Sequence, residues 1–342
     1  MIVFPLFVEE CTDDLPSDLK GIITWESGSN IPYSAVCNTF EKISEVPERL
    51  KKEKLFCNLF RAVVRTCPDD LKTVIYLASN SISPAYEGLE LGVGDSLLIK
   101  AIVEATGRKK ESVEEAYKTT GDLGLVALQS RQSQKTLSFV AKPKPLMANE
   151  ILEKLIEITK TKGDKAQGRK VNIIKSLMVR CVENEAKFLI RALQGKLRIG
   201  TAAQTVLVAL GHAFAHPDIF KKLTESEGND RVTTEKTEGK VYTEGSFLDL
   251  YHKISDTPPP EVQKLKSGKK LQQEDLKELA VGVVKRAFSE CPNYDILAQA
   301  LLSHPLHSIG KMCSLATGIP VAPMLAKPTK EIGEVNFIYM YH

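Results

Sequence analysis

Apolar residues recur at helical spacing along most of the chain. Between residues 48 and 66 they fall on one stripe, while the basic residues fall mostly off it, where we expect a solvated face. Few segments alternate with a period of two, so the sequence predicts an all-α fold. The same reasoning predicts helices over residues 34–46, 48–66, 71–79, 96–106, 111–118, 149–159, 171–193, 274–289 and 295–303, with two shorter helices ending at Leu128 and Phe214.

A stretch containing two glycines joins two of these predicted helices. Residues 193–201, Leu-Gln-Gly-Lys-Leu-Arg-Ile-Gly-Thr, lie between two apolar helical patterns. Gly195 is expected to end the first helix, and Gly200 with Thr201 to begin the second. The first backbone N–H groups of a helix have no partner inside it, so this turn is a candidate anion site.

The side chains of this turn favour phosphate as the anion. Lys196 and Arg198 lie within it, and residues 188–214 contain no Asp or Glu. Basic side chains beside exposed amides are typical of phosphate contacts. The alternative interpretation is an ordinary helix–helix turn with no ligand.

An earlier stretch repeats the pattern. Residues 91–95, Leu-Gly-Val-Gly-Asp, align with residues 197–201 as leucine, any residue, a β-branched residue, glycine and a capping residue. Both resemble a helix-hairpin-helix turn, in which glycines let the bare backbone approach a phosphate. A glycosylase with such hairpins is a further alternative, but it would need a catalytic Asp or Lys just after one of them. The first copy adds Gly92, Gly94 and Asp95 to the candidate residues, with Asp95 as the expected helix cap.

A polar, basic segment without acids follows the helix ending at Leu128. In residues 130–136 the candidate contacts to phosphates and sugars are Arg131, Gln134 and Lys135. A plain surface loop is the alternative.

Composition limits the function classes. The chain has 342 residues, of which 43% are hydrophobic and 26% charged, which is ordinary for a globular protein. Its 46 basic and 43 acidic residues give a net charge of only +3, so a nucleic-acid surface must be a local patch. The seven cysteines form no C-x-x-C pair, which indicates reduced thiols of an intracellular protein. No signal peptide or membrane-spanning run is apparent.

The inventory of catalytic and metal-binding motifs is thin. The sequence contains no G-x-x-x-x-G-K-[ST], no H-E-x-x-H and no G-x-S-x-G. Two of its histidines, His216 and His304, precede prolines, and none stands in a matching ligand pattern. We therefore predict no metal and no cofactor in this chain.

The C-terminal region carries the most specific motif. Residues 318–330, Gly-Ile-Pro-Val-Ala-Pro-Met-Leu-Ala-Lys-Pro-Thr-Lys, resemble the segment that leads into the nucleotidyltransferase domain of ATP-dependent DNA ligases. With both glycine stretches, the Gly-Asp-Leu-Gly from Gly121 to Gly124, the segment after Ser130 and residues 33–47, the chain resembles eukaryotic ligases of the DNA ligase I type. The resemblance covers roughly residues 25–335.

The resemblance implies a DNA-binding domain of two pseudo-symmetric helical halves. In that family such a domain holds the minor groove and phosphate backbone of double-stranded or nicked DNA through backbone amides and basic side chains, and Gly121 and Gly124 join the candidates. It further implies replication, repair and recombination in the nucleus, a monomer, no membrane, and a possible sliding-clamp partner. The expected divisions are an irregular segment 1–30, halves 31–142 and 146–317 with a mobile insertion at about 225–270, and a lead-in segment 318–342.

Two departures from the family pattern set further expectations. We expect the family's N-terminal nuclear-targeting and clamp-binding tail to be absent. After Val335 the residues no longer match the family's continuation towards the catalytic K-x-D-G. ATP and Mg²⁺ act in the full-length family, whereas we expect this chain to form no adenylate at Lys327 or Lys330. A helical protein-interaction scaffold that retains ligase ancestry is the competing hypothesis, and it predicts no DNA retention at moderate salt.

Overall fold

The computed structural model describes residues 16–133, 144–216, 219, 273–304, 306, 309–313 and 319–320. Regular structure in these residues is helical and includes no strand, which confirms the all-α prediction. The α-helices are α1 Tyr33–Glu45, α2 Arg49–Thr66, α3 Leu71–Ser79, α4 Asp95–Thr106, α5 Lys110–Thr120, α6 Leu123–Gln132, α7 Ala148–Lys160, α8 Ala166–Arg180, α9 Glu185–Leu193, α10 Ala203–Phe214, α11 Gln273–Glu290, α12 Tyr294–Ser303 and α13 Ile309–Met312, and 3-10 turns span Pro68–Asp70 and Ala85–Glu87.

The helices form two halves that repeat the same plan. Helices α1 and α7 have 13 residues each, α3 and α9 have 9, and α4 and α10 have 12. Packing crosses between the halves in matched pairs, because α4 lies on α8 and α10 lies on α2. In the same way α6 packs on α9, and α12 packs on α3. The predicted pseudo-symmetry is present, with the helices of the two halves intertwined.

A reciprocal backbone contact lies on the pseudo-two-fold axis. Tyr33 donates its N–H to the carbonyl of Leu146 at 2.8 Å, and Ala148 donates to the carbonyl of Ile31 at 2.8 Å. Exchanging segments 31–33 and 146–148 reproduces the same pair of hydrogen bonds, as a two-fold axis requires. Just after this contact each half begins its first helix, so α1 and α7 diverge from one point.

One hydrophobic core serves both halves. Phe40 of α1 meets the ring of Phe56 of α2 edge-on at 6.3 Å and that of Phe188 of α9 at 5.4 Å between centroids. All three side chains are fully buried. Because the cluster draws on helices from each half, burial of its apolar surface stabilises the halves together.

The single helix predicted over residues 171–193 is wrong, since the chain leaves the helix after Arg180 and re-enters it at Glu185. Glu183 adopts a left-handed φ of 42°, and the Glu185 carboxylate accepts the N–H of Val182 at 2.8 Å. Neither Gly nor Pro marks this break, and the apolar spacing continues through it.

The helix predicted to end at Leu128 also needs correction, because α6 continues to Gln132. The buried hydroxyl of Ser130 donates to the carbonyl of Val126 at 2.6 Å and accepts from Arg108 at 2.8 Å. The first residues of the predicted polar loop are therefore helical. Gln134 and Lys135, the insertion at 225–270 and residues 321–342 lie outside the described residues.

Candidate nucleic-acid interface

The second glycine turn, residues 194–202, begins with a Schellman cap on α9. Gly195 has a left-handed φ of 75° and donates its N–H to the carbonyl of Ala192 at 2.9 Å, while Lys196 donates to that of Arg191 at 3.0 Å. This pair of bonds satisfies carbonyls that the helix end leaves over. The prediction that Gly195 ends the helix is confirmed.

Buried basic side chains hold the carbonyls of this turn inward. The Lys52 ammonium donates to the carbonyl of Ile199 at 2.7 Å and to that of Gly200 at 3.1 Å, and Arg191 donates to that of Leu197 at 3.2 Å. In a trans peptide the N–H points opposite to the C=O. The amides that follow these carbonyls, those of Arg198, Gly200 and Thr201, therefore point away from the protein.

Helix α10 begins directly after this turn without a side-chain cap. Its N-cap is Ala202, with no capping hydrogen bond and no acidic residue in the first turn of the helix. Thr201 was expected to cap the helix, but it precedes the cap position. Outward amides and an uncapped helix N-terminus together form a concavity of positive partial charge, which is suited to an anion.

The first glycine turn, residues 89–94, has the same construction. The Lys170 ammonium of α8 donates to the carbonyls of Leu91 and Gly92, at 2.9 and 3.3 Å. Gly92 has a left-handed φ of 55°. The N-cap of α4 is Gly94, again without a capping side chain, so Asp95 is the first residue of the helix and not its expected cap.

The geometry corrects the register between the two turns by two residues. Three features identify equivalent positions: a positive φ, the carbonyls that accept from the buried lysine, and the distance from the N-cap. The sequence alignment instead matched the last glycine of each stretch, Gly94 with Gly200. The equivalent pairs are Leu91 with Ile199, Gly92 with Gly200, and Gly94 with Ala202.

Polar contacts link the two turns on one side of the molecule. One oxygen of the Asp95 carboxylate accepts from Gln194 at 2.8 Å, and the other accepts from the Tyr117 hydroxyl at 2.8 Å. That hydrogen bond raises the pKa of Tyr117. Arg198 donates to the carbonyl of Gly121, the left-handed C-cap of α5, at 2.8 Å. The structure thus brings together Asp95, Gly121 and Arg198, which were predicted from separate stretches.

An open cavity of about 360 Å³ lies in front of the second glycine turn. Its walls are residues 195–203 and the C-terminal end of α3, residues 78–80. Lys196, Arg198 and Gly200 are exposed at this surface. The residues of the second glycine turn thus line an open space at the protein surface.

Gly124 has a packing role. A Cβ there would lie 2.6 Å from the carbonyl oxygen of Lys187 and 2.7 Å from Cγ of Arg191, so α6 and α9 approach each other through this glycine. Its N–H donates to the carboxylate of Asp122 at 2.8 Å. Burial is the largest single influence on the pKa of Asp122 and acts to raise it. The hydrogen bonds from Arg191 and Gly124, together with the positive charges of Arg191 and Arg198, outweigh burial and hold that pKa below its usual value. Gly124 is thus tied into an ion-paired contact between the halves.

Arg131 likewise contacts protein groups. Its guanidinium donates to the carbonyls of Val179 and Cys181, at 3.0 and 3.1 Å. These carbonyls belong to the C-terminal end of α8, where the break before α9 begins, so Arg131 connects the end of α6 to the end of α8.

Lys52 and Lys170 hold the two glycine turns of the candidate interface, and sequence reasoning missed both. Lys52 was placed on a solvated face, which is wrong, since only 8% of it is exposed, and Lys170 is 9% exposed. Their spacing could have found them. Lys52 lies four residues before the buried Phe56, and Lys170 four before the buried Ile174, so each falls on an apolar stripe.

Two negative findings apply to the part of the chain that the structure describes. No group of three or more His, Cys, Asp or Glu side chains could hold a metal ion there. Within the same residues, no helix is long and apolar enough to cross a membrane.

Comparison with known proteins identifies the family. Residues 32–211, which include both glycine turns, match the family model described as DNA ligase N terminus. DNA ligase 1 of Arabidopsis thaliana is 36% identical over 93% of this chain and 34% of its own length. DNA ligase 1 of Saccharomyces cerevisiae is 36% identical over 90% of this chain and 35% of its own length, and that of Drosophila melanogaster is 35% identical over 91% and 35%.

The chain spans about a third of the length of these relatives. The family model nevertheless covers more than half of the chain and the whole of both turns. This chain therefore belongs to the DNA ligase N-terminus family.

Proposed function

We propose that this chain binds duplex and nicked DNA through the phosphate backbone, as the N-terminal part of an ATP-dependent DNA ligase. The observation that carries the proposal is the pair of glycine turns, each with carbonyls held inward and each leading into a helix without a side-chain cap. Phosphate oxygens fit such amides, because they accept hydrogen bonds and carry the charge that a helix N-terminus favours.

The pseudo-two-fold arrangement suits a duplex target. The two backbones of a duplex are related by two-fold axes, and a protein with matching symmetry can present equivalent groups to both strands. The resemblance to ligases favours the minor-groove side as the place where the turns meet these backbones. Amide–phosphate contacts carry no base code, so binding should depend little on sequence.

The biological setting is part of the same proposal. The relatives are named DNA ligases, which supports a role in DNA joining. Nick joining in replication, repair and recombination, in the nucleus and with ATP and Mg²⁺, is proposed from the resemblance to the ligase family. A monomer that works beside a sliding clamp rests on the resemblance alone. The 342 residues contain no K-x-D-G, so we assign this polypeptide the holding of DNA and expect no covalent adenylate at Lys327 or Lys330 after incubation with ATP and Mg²⁺.

The direct test is a titration of the chain with labelled duplexes of unrelated sequence, intact and nicked, from about 50 to about 200 mM salt. We expect similar affinities for unrelated sequences, and a logarithm of affinity that falls linearly with the logarithm of salt concentration. No retention at the lowest salt, or strong discrimination between unrelated intact duplexes, would contradict the proposal.

A further inference from the structure

Two buried lysines support the glycine turns from behind, each from the opposite half of the molecule. Lys52 of α2 donates to the carbonyls of Ile199 and Gly200, which lie 147 and 148 residues away in the chain. Lys170 of α8 donates to the carbonyls of Leu91 and Gly92, which lie 79 and 78 residues away. The pseudo-two-fold axis exchanges the two arrangements.

These contacts are costly to build. Removing an ammonium from water carries a free-energy penalty unless hydrogen bonds and charges replace the solvent. Within the described residues neither lysine forms an ion pair with a carboxylate, and the acceptors are backbone carbonyls of the turns. An apolar side chain would fill either position without that penalty. The same arrangement occurs at both equivalent sites, which points to a common task.

We propose that Lys52 and Lys170 are positioning residues for DNA binding, each fixing the phosphate-facing amides of the glycine turn in the other half. By holding the carbonyls inward, each ammonium fixes the following N–H groups outward before DNA arrives. A turn that is already ordered loses less conformational entropy on binding. The affinity part of this proposal rests on the proposed function; the structural part does not.

The placement also predicts that each lysine acts across the halves. Loss of the ammonium at Lys52 should loosen the second glycine turn, which belongs to the other half, and leave the first glycine turn unchanged. Loss at Lys170 should do the reverse. A role confined to general core packing would show no such crossed pattern.

The first experiment measures DNA affinity against salt for Lys52→Met and Lys170→Met. Lys51→Met is the matched control, since the Lys51 side chain is exposed and paired with Glu48. We expect each buried-site variant to bind DNA about tenfold more weakly. A tenfold loss of affinity corresponds to about the free energy of one charge-assisted hydrogen bond. The salt slope should stay close to that of the wild type, because a residue that touches carbonyls releases no counterions, whereas each lost phosphate contact lowers the slope by about one.

The second experiment needs no DNA. Backbone amide NMR shifts of the free variants should change at residues 197–202 in Lys52→Met and at residues 91–95 in Lys170→Met. If the wild type fails to bind DNA, the proposed function fails while this measurement still decides whether the lysines hold the turns. Shift changes spread evenly through the core, or confined to the half that carries the lysine, would overturn the inference.

Wild-type affinity in both Met variants, or a slope that falls by about one in either, would also overturn it, the latter because it signals direct phosphate contact. If circular dichroism shows that the Met variants do not fold, Lys52→Arg and Lys170→Arg take their place. Arginine keeps the charge and the donors but changes the head-group geometry. Folded Arg variants should shift the amides of the same glycine turn and bind more weakly at an unchanged slope. Weaker binding without any shift at those amides would reject a positioning role.

Discussion

The two glycine turns share a backbone frame and differ in charge. Each has inward carbonyls held by a buried lysine, and each leads into a helix whose N-cap residue supplies no side-chain bond. The second turn carries Lys196 and Arg198 and faces a helix start without acids. The first turn contains Glu90, and Asp95 begins its helix.

This difference separates geometry from electrostatics. In the proposed function, the shared frame would fix where a phosphate binds, since amide direction depends on φ, ψ and the lysine supports. The side chains then set how strongly each turn attracts it, because acidic groups beside the first turn oppose the charge of a phosphate. We therefore expect the second turn to be the stronger anchor, and the first to contribute mainly to orientation.

The largest effect is expected from filling each N-cap with a carboxylate. Ala202→Asp and Gly94→Asp place a carboxylate at equivalent N-cap positions. This carboxylate accepts hydrogen bonds from the helix N–H groups that would otherwise donate to a phosphate. Binding should fall about 100-fold for Ala202→Asp and about tenfold for Gly94→Asp, through loss of charge-assisted bonds and repulsion. Because Asp is a good N-cap, Ala202→Asp should also raise the free energy of unfolding by about 1 kcal/mol. DNA titration and thermal melting measure both effects.

Ala202→Asn and Gly94→Asn are the neutral controls, since they cap the same amides without the charge and should weaken binding less. A loss in Gly94→Asp that equals or exceeds the loss in Ala202→Asp would break the proposed ranking of the turns. Undiminished binding in both Asp variants would show that the helix starts do not face DNA.

Removing the basic side chains of the second turn tests its charge directly. Lys196→Ala combined with Arg198→Ala should lower the salt slope by about two, near one for each lost phosphate contact. Glu90→Ala in the first turn removes a charge at the position equivalent to Arg198 and should leave the slope nearly unchanged. An unchanged slope in the double variant would mean that these side chains contact only protein groups, as Arg198 does when it donates to the carbonyl of Gly121.

A packing glycine near the turns should behave differently from the glycines within them. Gly124→Ala forces a Cβ against α9, so we expect a loss of about 1 to 2 kcal/mol in the free energy of unfolding after the gain in helix propensity. The salt slope and the affinity of the folded fraction should stay at the wild-type values. Chemical denaturation measures the free energy of unfolding, and DNA titration measures the slope and the affinity. A changed slope with full stability would support the predicted DNA contact at Gly124.

The smallest effect should come from giving the first turn the charge of the second. Glu90→Arg introduces a basic residue at the position equivalent to Arg198, so the salt slope should rise by about one and low-salt affinity should increase modestly. Leu50→Arg, on an exposed position of α2, is the control for added charge elsewhere. An equal gain in both variants would indicate nonspecific attraction.

Sequence alone predicted the helices well because an amphipathic stripe is local information. Helix α3 was predicted over the residues that it occupies, and α2 to within one residue. The break between α8 and α9 was missed because no Gly or Pro marks it. Glu183 has a left-handed φ, and the contacts at the break come from Glu185 and from the distant Arg131. Propensity has no access to such context.

The residues of the candidate site could be predicted only in part from the sequence. The glycines and the basic residues of the second turn stand out locally, but the lysine supports come from partners far apart in the chain. The register between the turns was also misassigned, because Ala202 occupies the N-cap position where the first turn has Gly94. Backbone angles reveal that equivalence, and residue identity hides it.

Helices of each half pack on helices of the other in matched pairs, so the chain resembles a two-fold homodimer whose two subunits are covalently linked. As at an isologous interface, each contact is made twice. A true homodimer must carry identical residues on both copies of its surface. Here the backbone contacts at the axis join Pro32 to Met147, two different residues in equivalent places. Because the halves are covalently linked, the sequence of each half can change independently of the other. Two turns with equivalent backbone geometry can therefore differ in charge, with Lys196 and Arg198 on one and Glu90 on the other.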